Sequence, residues 1–206
     1  MTARPKSGRP RSESAKQSIL DGAYQLLDEG GYAAFSIDAV AGCAGVARTT
    51  IYRWWPTKGL LATEAFLARV QANVDFQATD SAIHDFTRML AGVGALMAGS
   101  AGRVAASILA EGQRDPETLE AFKTSYHQVL RSRSVPLLKA GVARGELAPD
   151  LDPDLLLDAA IGAIYLNLLL KQPVSEQWAR QLAERLLKGA LASSPPSPDT
   201  SRKTRP

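Results

Sequence analysis

The chain is predicted to be all-α. Two observations carry this: apolar residues recur at three- and four-residue intervals nearly throughout, and the alternation that marks strands is almost absent. The first clear helix is expected over about Ser14 to Glu29, where Ile19, Ala23, Leu26 and Leu27 share one face and Gly30-Gly31 end it. A short helix follows over Ile37 to Ala44, with Ser36 as its N-cap. The next long helix starts at Thr57 and runs through "KGLLATEAFLARVQANVDF". Helices are also expected over Ser81 to Gly99, Arg103 to Gln113, and Pro116 to Gly145. In the last of these Asp115 caps, Pro116 takes the first turn and Pro136 introduces a kink. After the loop "GELAPDLDP" two more helices run over Asp154 to Lys171 and Ser175 to Leu191.

Of the 206 residues 45% are hydrophobic, enough to bury a substantial core. The formal net charge is only +3, so a polybasic or histone-like protein is excluded and any basic patch is local. Such a patch opens the chain: Arg4, Lys6, Arg9, Arg11 and Lys16 precede the first apolar run, opposed by Glu13 alone. Residues 1–13 are expected to be a disordered basic arm, and the Pro/Ser-rich residues 193–206 a disordered tail. The single cysteine excludes an internal disulfide framework and a multi-cysteine zinc site, and fits a reducing cytoplasm. Cys43 itself, among small apolar residues, is expected to be a buried, inert thiol. The apolar stretch Ile161 to Leu170 is too short to span a bilayer, so no membrane partner is expected.

The segment "VAGCAGVARTTIYRWWPTK", Val40 to Lys58, has the steric pattern of two short helices crossing at a tight turn. Ala41 is small where the helices touch, and Gly45 can take the left-handed conformation of the turn. Val40, Ala44, Val46, Ile51 and Trp54 are the expected buried contacts. If Ile51 and Trp54 face inward, Arg48, Thr49, Tyr52 and Arg53 face outward. Arginine offers guanine a bidentate fork, threonine brings a hydroxyl and a methyl to base edges, and tyrosine reaches phosphate. The pattern therefore predicts a helix-turn-helix that reads the major groove of double-stranded DNA.

The block "GYAAFSIDAVAGCAGVARTTIYRWWPTKGLL" resembles the N-terminal signature of the TetR (tetracycline-repressor-like) family of bacterial regulators, through Gly31, Tyr32, Ser36, Ile37, Val40, Ala41, Gly45, Val46, Thr50, Ile51, Tyr52, Lys58 and Leu61. The ending "ARGELAPDLDPDLLLDAAIGAIYLNLLL" resembles a common AcrR-like subtype of the family's C-terminal domain. The resemblance implies a helix-turn-helix DNA-binding domain over 14–60 and a larger ligand-binding and dimerisation domain over 61–192. It also implies that Ser36 and Lys58 hold backbone phosphate, that Arg48, Thr49, Thr50 and Arg53 face bases or nearby backbone, and that Tyr52 and Trp54 approach phosphates. Two features depart from the family pattern. Ala47 leaves the recognition helix without its usual hydroxyl cap, and Trp54-Trp55 replace histidine or tyrosine followed by phenylalanine, so that burial is the expected use of Trp54. The arm "SGRPRS" can lie along a narrow minor groove and insert Arg9 and Arg11.

Almost every face of "LLLDAAIGAIYLNLLL" is apolar, so this helix is expected to be buried twice, against its own domain and against a second copy of the chain. The expected homodimer interface comprises Leu157, Ile161, Ile164, Tyr165 and Leu168 with Trp178, Leu182 and Leu186, and Ala159, Gly162 and Ala163 permit close approach. The family resemblance implies an effector cavity in the middle helices, and the expected lining is Phe66, Phe86, Met89, Met97, Leu109, Phe122 and Tyr126. Few ionisable groups accompany them, so a largely apolar small-molecule effector is expected. No cofactor is expected, and no catalytic or metal-ligand constellation involves His84 or His127. The expectation is a dimeric, ligand-responsive repressor on a palindromic operator. A helical ligand-binding or scaffold protein without specific DNA binding is the alternative.

Overall fold

The computed structural model describes residues 9–189, with side chains from Glu13 onward. Among the described residues there are ten α-helices, one π-helical turn and no strand. The minor-groove side chains Arg9 and Arg11, most of the arm expected over 1–13, and the tail expected over 193–206 lie outside what is described.

Helix α1 (Arg9–Ala34) starts ahead of the expected Ser14 because Pro10 sits in its first turn, where a missing N–H leaves no hydrogen bond unmade. It breaks at Gly31, where φ is 64°. Helix α2 (Ile37–Ala44) begins on Ser36, whose hydroxyl accepts from the Ala39 N–H at 3.2 Å. Gly45 then takes φ 64° and ψ 34°, a left-handed step that would strain a residue with a Cβ. Helix α3 (Arg48–Trp54) follows, with no side-chain cap from Ala47. These three helices close around Ile19, Ala23, Leu27, Phe35, Val40, Ile51 and Trp55, all buried.

Helix α4 (Lys58–Asn73), capped by Thr57, leads out of this unit into the second half. It stops before the expected Phe76, and Val74 continues as extended chain. The loop after it is pinned by buried Asp85, which accepts from the Thr79 N–H at 2.7 Å and the Thr79 hydroxyl at 2.8 Å. Helix α5 (Ala82–Met97) meets α6 (Ser100–Gly112) at 86°.

The single helix expected over Pro116 to Gly145 is three segments. They are α7 (Pro116–Ala121), a π-helical turn (Phe122–His127) and α8 (Gln128–Ala143), and the helix runs on through Pro136. The irregularity thus falls before the proline, where Phe122 and Tyr126 pack against each other at 4.9 Å. Helices α9 (Pro153–Leu169) and α10 (Glu176–Lys188), capped by Asp152 and Ser175, complete the fold. Helices α5 and α10 approach so closely that a Cβ on Gly94 would meet the Ala179 methyl at 2.4 Å. No single described helix is long and apolar enough to cross a membrane.

Candidate nucleic-acid interface and effector region

In α3 the spacing of the side chains divides them cleanly. Ile51 is fully buried, whereas Arg48, Thr49, Tyr52 and Arg53 are exposed together on the opposite side and Thr50 is half-buried at their edge. The expected DNA-reading residues therefore form one outward surface on a helix.

The anchor beneath them is not Trp54. Trp55 takes the core position with no exposed surface, and its indole N–H donates to Glu64 Oε2 at 2.8 Å, which supplies the partner a buried indole needs. Trp54 is half-buried, stands edge-on to Trp55 with ring centres 5.6 Å apart, and carries the Arg53 guanidinium over its ring at 5.3 Å. One more residue of rotation at the helix end explains the exchange: Trp55 has left the helix in extended backbone and swings inward.

Arg48 has neighbours that its own helix does not reveal. Its guanidinium lies beside the Tyr52 hydroxyl and forms an ion pair with Asp38 of α2 at 3.0 Å, and these two groups push its pKa further up. Asp38 is a carboxylate at the edge of this outward surface. Its place on the first turn of α2 signals a helix-start acid, and only the crossing of α2 and α3 brings it to Arg48. The Ser36 hydroxyl accepts the α2 cap hydrogen bond with one of its two lone pairs. Cys43, expected to be buried, is exposed; its sulfur lies over Gly22, where an added Cβ would be 3.1 Å away.

Lys58, expected to hold backbone phosphate, is engaged within the chain itself. Its ammonium turns back to donate to the Tyr32 carbonyl at 3.1 Å and lies over the Tyr32 ring at 4.3 Å. It belongs to a junction between the two halves of the chain. The Thr118 hydroxyl donates to Asp115 Oδ2 at 2.5 Å, so the Tyr32 hydroxyl, 2.7 Å from Thr118 Oγ1, is the donor to Thr118. Burial pushes the Tyr32 phenol up, while the Thr118 hydroxyl and the N–H groups at the start of α7 hold Asp115 below the usual carboxylate range. Gly59 permits the contact, because a Cβ there would sit 2.4 Å from the Thr118 hydroxyl.

The expected effector lining is largely filled core. Phe66, Phe86 and Met89 have no exposed surface and Tyr126 almost none. The small residues beside them let helices close up, as Gly94 does against Ala179, and do not leave a void there. Burial pushes the Tyr126 phenol up to about 12, and the neighbouring Tyr165 phenol is also raised. Two clefts open at the margins of this core. Met97 lines one of about 760 Å³ beside Arg103, Leu168 and Lys171. Leu109 and Phe122 line another of about 410 Å³, with His127, Asp158 and Tyr165.

The expected dimer residues also divide. Leu157, Ile161 and Ile164 are buried in the chain's own core and present nothing outward, whereas Tyr165, Leu168, Trp178, Leu182 and Leu186 are half-buried. The other side of α9 is the exposed one. Leu155, Leu166, Leu169 and Leu170 are 67%, 57%, 52% and 61% exposed, and Ala159 and Gly162 lie between them. An apolar helix has no moment to say which of its faces turns inward, and three of the eight expected interface residues turn into the chain's own core.

Comparison with known proteins agrees with this geometry. Residues 19–65 match the family "Bacterial regulatory proteins, tetR family", and residues 76–186 match "Tetracyclin repressor-like, C-terminal domain". The HTH-type transcriptional regulator YdeS of Bacillus subtilis is 31% identical over 190 residues, 92% of this chain and 96% of that one. The DNA-binding transcriptional repressor TetR of Mycobacteroides abscessus is 28% identical, over 86% of this chain and 94% of its own. The crystal structure of the TetR family transcription regulator SCO0332 superposes with a TM-score of 0.75 at 28% identity, over 88% of this chain and all of that one. The all-α frame is thus shared along nearly the whole length, and the chain belongs to the TetR family of DNA-binding transcriptional regulators, not to an enzyme family.

Proposed function

We propose that this regulator is a repressor that binds a palindromic operator as a homodimer and is released when a small molecule occupies its C-terminal half. The observation that carries the reading is the coexistence of the outward set on α3 with an outward apolar stripe on α9. Leu155, Ala159, Gly162 and Leu166 recur at helical spacing, with Leu170 just beyond the helix end, and a monomer leaves all of them in water. Covering a leucine fully gains about 1.5–3 kcal/mol, so the exposed Leu155, Leu166 and Leu170 on this side favour a second copy. Trp178, Leu182 and Leu186 of α10 extend the apolar surface beside it. A twofold pair carries two α3 helices, which fit half-sites about one turn of duplex apart, roughly 34 Å.

In this reading Arg53 and Thr49 touch base edges, Arg48 exchanges Asp38 for DNA, and Tyr52 reaches phosphate. The test is fluorescence anisotropy of the full chain on DNA from immediately upstream of its own gene against a scrambled duplex, at low and near-physiological salt. Sequence-dependent binding that persists at the higher salt is the expected result. Equal, weak binding to both duplexes that vanishes as salt rises would remove the specific-operator reading.

A further inference from the structure

The 760 Å³ cleft runs between one side of α6 and the C-terminal end of α9, and its volume suits a small-molecule ligand. One wall is built of small residues, Gly102, Ala106 and Ala110, at helical spacing; Leu168 and Leu169 form the other, and Met97 and Val174 contribute apolar surface. The ionisable residues lining it are Arg103 and Lys171, both cationic, with no carboxylate among them. Lys171 is held there by a left-handed backbone, φ 54°, that turns the chain out of α9. An apolar trough with two cations at its edge complements a ligand that has an aliphatic body and one negative end.

Arg103 is already shared with another partner. Its guanidinium donates to Asp28 Oδ1 at 3.1 Å, and Asp28 belongs to α1 of the DNA-binding half. One turn earlier on each helix, the hydroxyls of Tyr24 and Ser100 lie 3.4 Å apart. These two polar contacts join α1 to α6, and the pair at Arg103 is the one a ligand in the cleft can reach. A carboxylate offers the guanidinium a bidentate, charge-assisted fork, whereas Asp28 engages it through one oxygen.

We propose that this cleft binds an amphipathic carboxylate, a medium-length aliphatic chain ended by one anion, and that the bound anion takes Arg103 from Asp28 and so loosens α1 from α6. The second half of the inference rests on the operator-binding reading above; the first does not. The test uses the full chain and the fluorescent acid 11-(dansylamino)undecanoate, displaced by dodecanoate or by dodecan-1-ol below their aggregation limits. Dodecanoate is expected to displace the dye at about one-tenth the concentration the alcohol requires. Arg103→Gln should abolish that preference, and Ala110→Trp, at an exposed position on the small-residue wall, should weaken both competitors. Asp28→Asn removes the rival carboxylate and should tighten dodecanoate about threefold. Equal displacement by acid and alcohol, or an unchanged preference in Arg103→Gln, overturns the assignment. So does dye binding that falls as protein concentration rises, which gives the cleft to a second copy of the chain. On operator DNA, dodecanoate should release the wild type and not Arg103→Gln, and occupancy without release overturns the competition with Asp28. Failure of the ligand-free protein to bind any operator defeats the repressor reading instead, while the dye result still decides the site.

Discussion

Trp54 and Trp55 are neighbours in the chain and end in opposite surroundings, one stacked under Arg53 at the surface and the other sealed in the core with its N–H on Glu64. The outward direction of Arg48, Thr49, Tyr52 and Arg53 was legible because it follows from helical spacing around Ile51; the exchange of tryptophans was not, because it depends on where α3 stops. Thr49→Ala and Arg53→Ala should each weaken operator binding by about 1–3 kcal/mol while changing binding to unrelated duplex much less, which a competition titration measures. An equal loss on both duplexes would restrict these residues to the DNA backbone. Lys58 calls for the reverse expectation. Since its ammonium already sits on the Tyr32 carbonyl and ring, Lys58→Met should leave the salt dependence of DNA binding intact and lower the thermal stability by about 1 kcal/mol. A salt slope smaller by about one would return Lys58 to the phosphate-binding set.

At the scale of elements, the helix starts were readable wherever a cap made them. Ser36, Thr57, Ser81, Asp115, Asp152 and Ser175 each accept a backbone N–H at the beginning of a helix. The helix interiors were less so: the π-helical turn at Phe122–His127 answers to aromatic packing of Phe122, Tyr126, Phe66 and Tyr165, which come from three separate elements. Asp115 caps α7 and also anchors the Thr118–Tyr32 link to the DNA-binding half. Its carboxyl is held below the ordinary range, so the stability it contributes is complete above that range and is lost as the pH falls through its own lowered value. Thermal melts of the wild type and Asp115→Asn should therefore differ at neutral pH and converge in acid. A gap that persists unchanged at low pH would mean the carboxylate's charge is not what holds the junction.

For the whole molecule, the proposed homodimer rests on the outward side of α9. Leu166→Glu places a charge in the middle of that stripe, at a position exposed in the single chain, so the monomer fold should survive. Sedimentation should then show the variant shifted from dimer to monomer, with operator affinity lost and the helical circular dichroism retained. A variant that still sediments as a dimer would move the interface elsewhere. The sequence by itself determined the all-α class, the turn at Gly45, the outward set on α3 and the family, because each is written in contacts within a few residues along the chain. Only the tertiary structure decided which face of α9 turns outward, that Lys58 folds back on Tyr32, and that Arg103 of α6 reaches Asp28 of α1. Such pairings join residues as far apart as Tyr32 and Thr118, 86 positions along the chain, and the packing of whole helices, not the spacing within any one of them, sets which side chains meet.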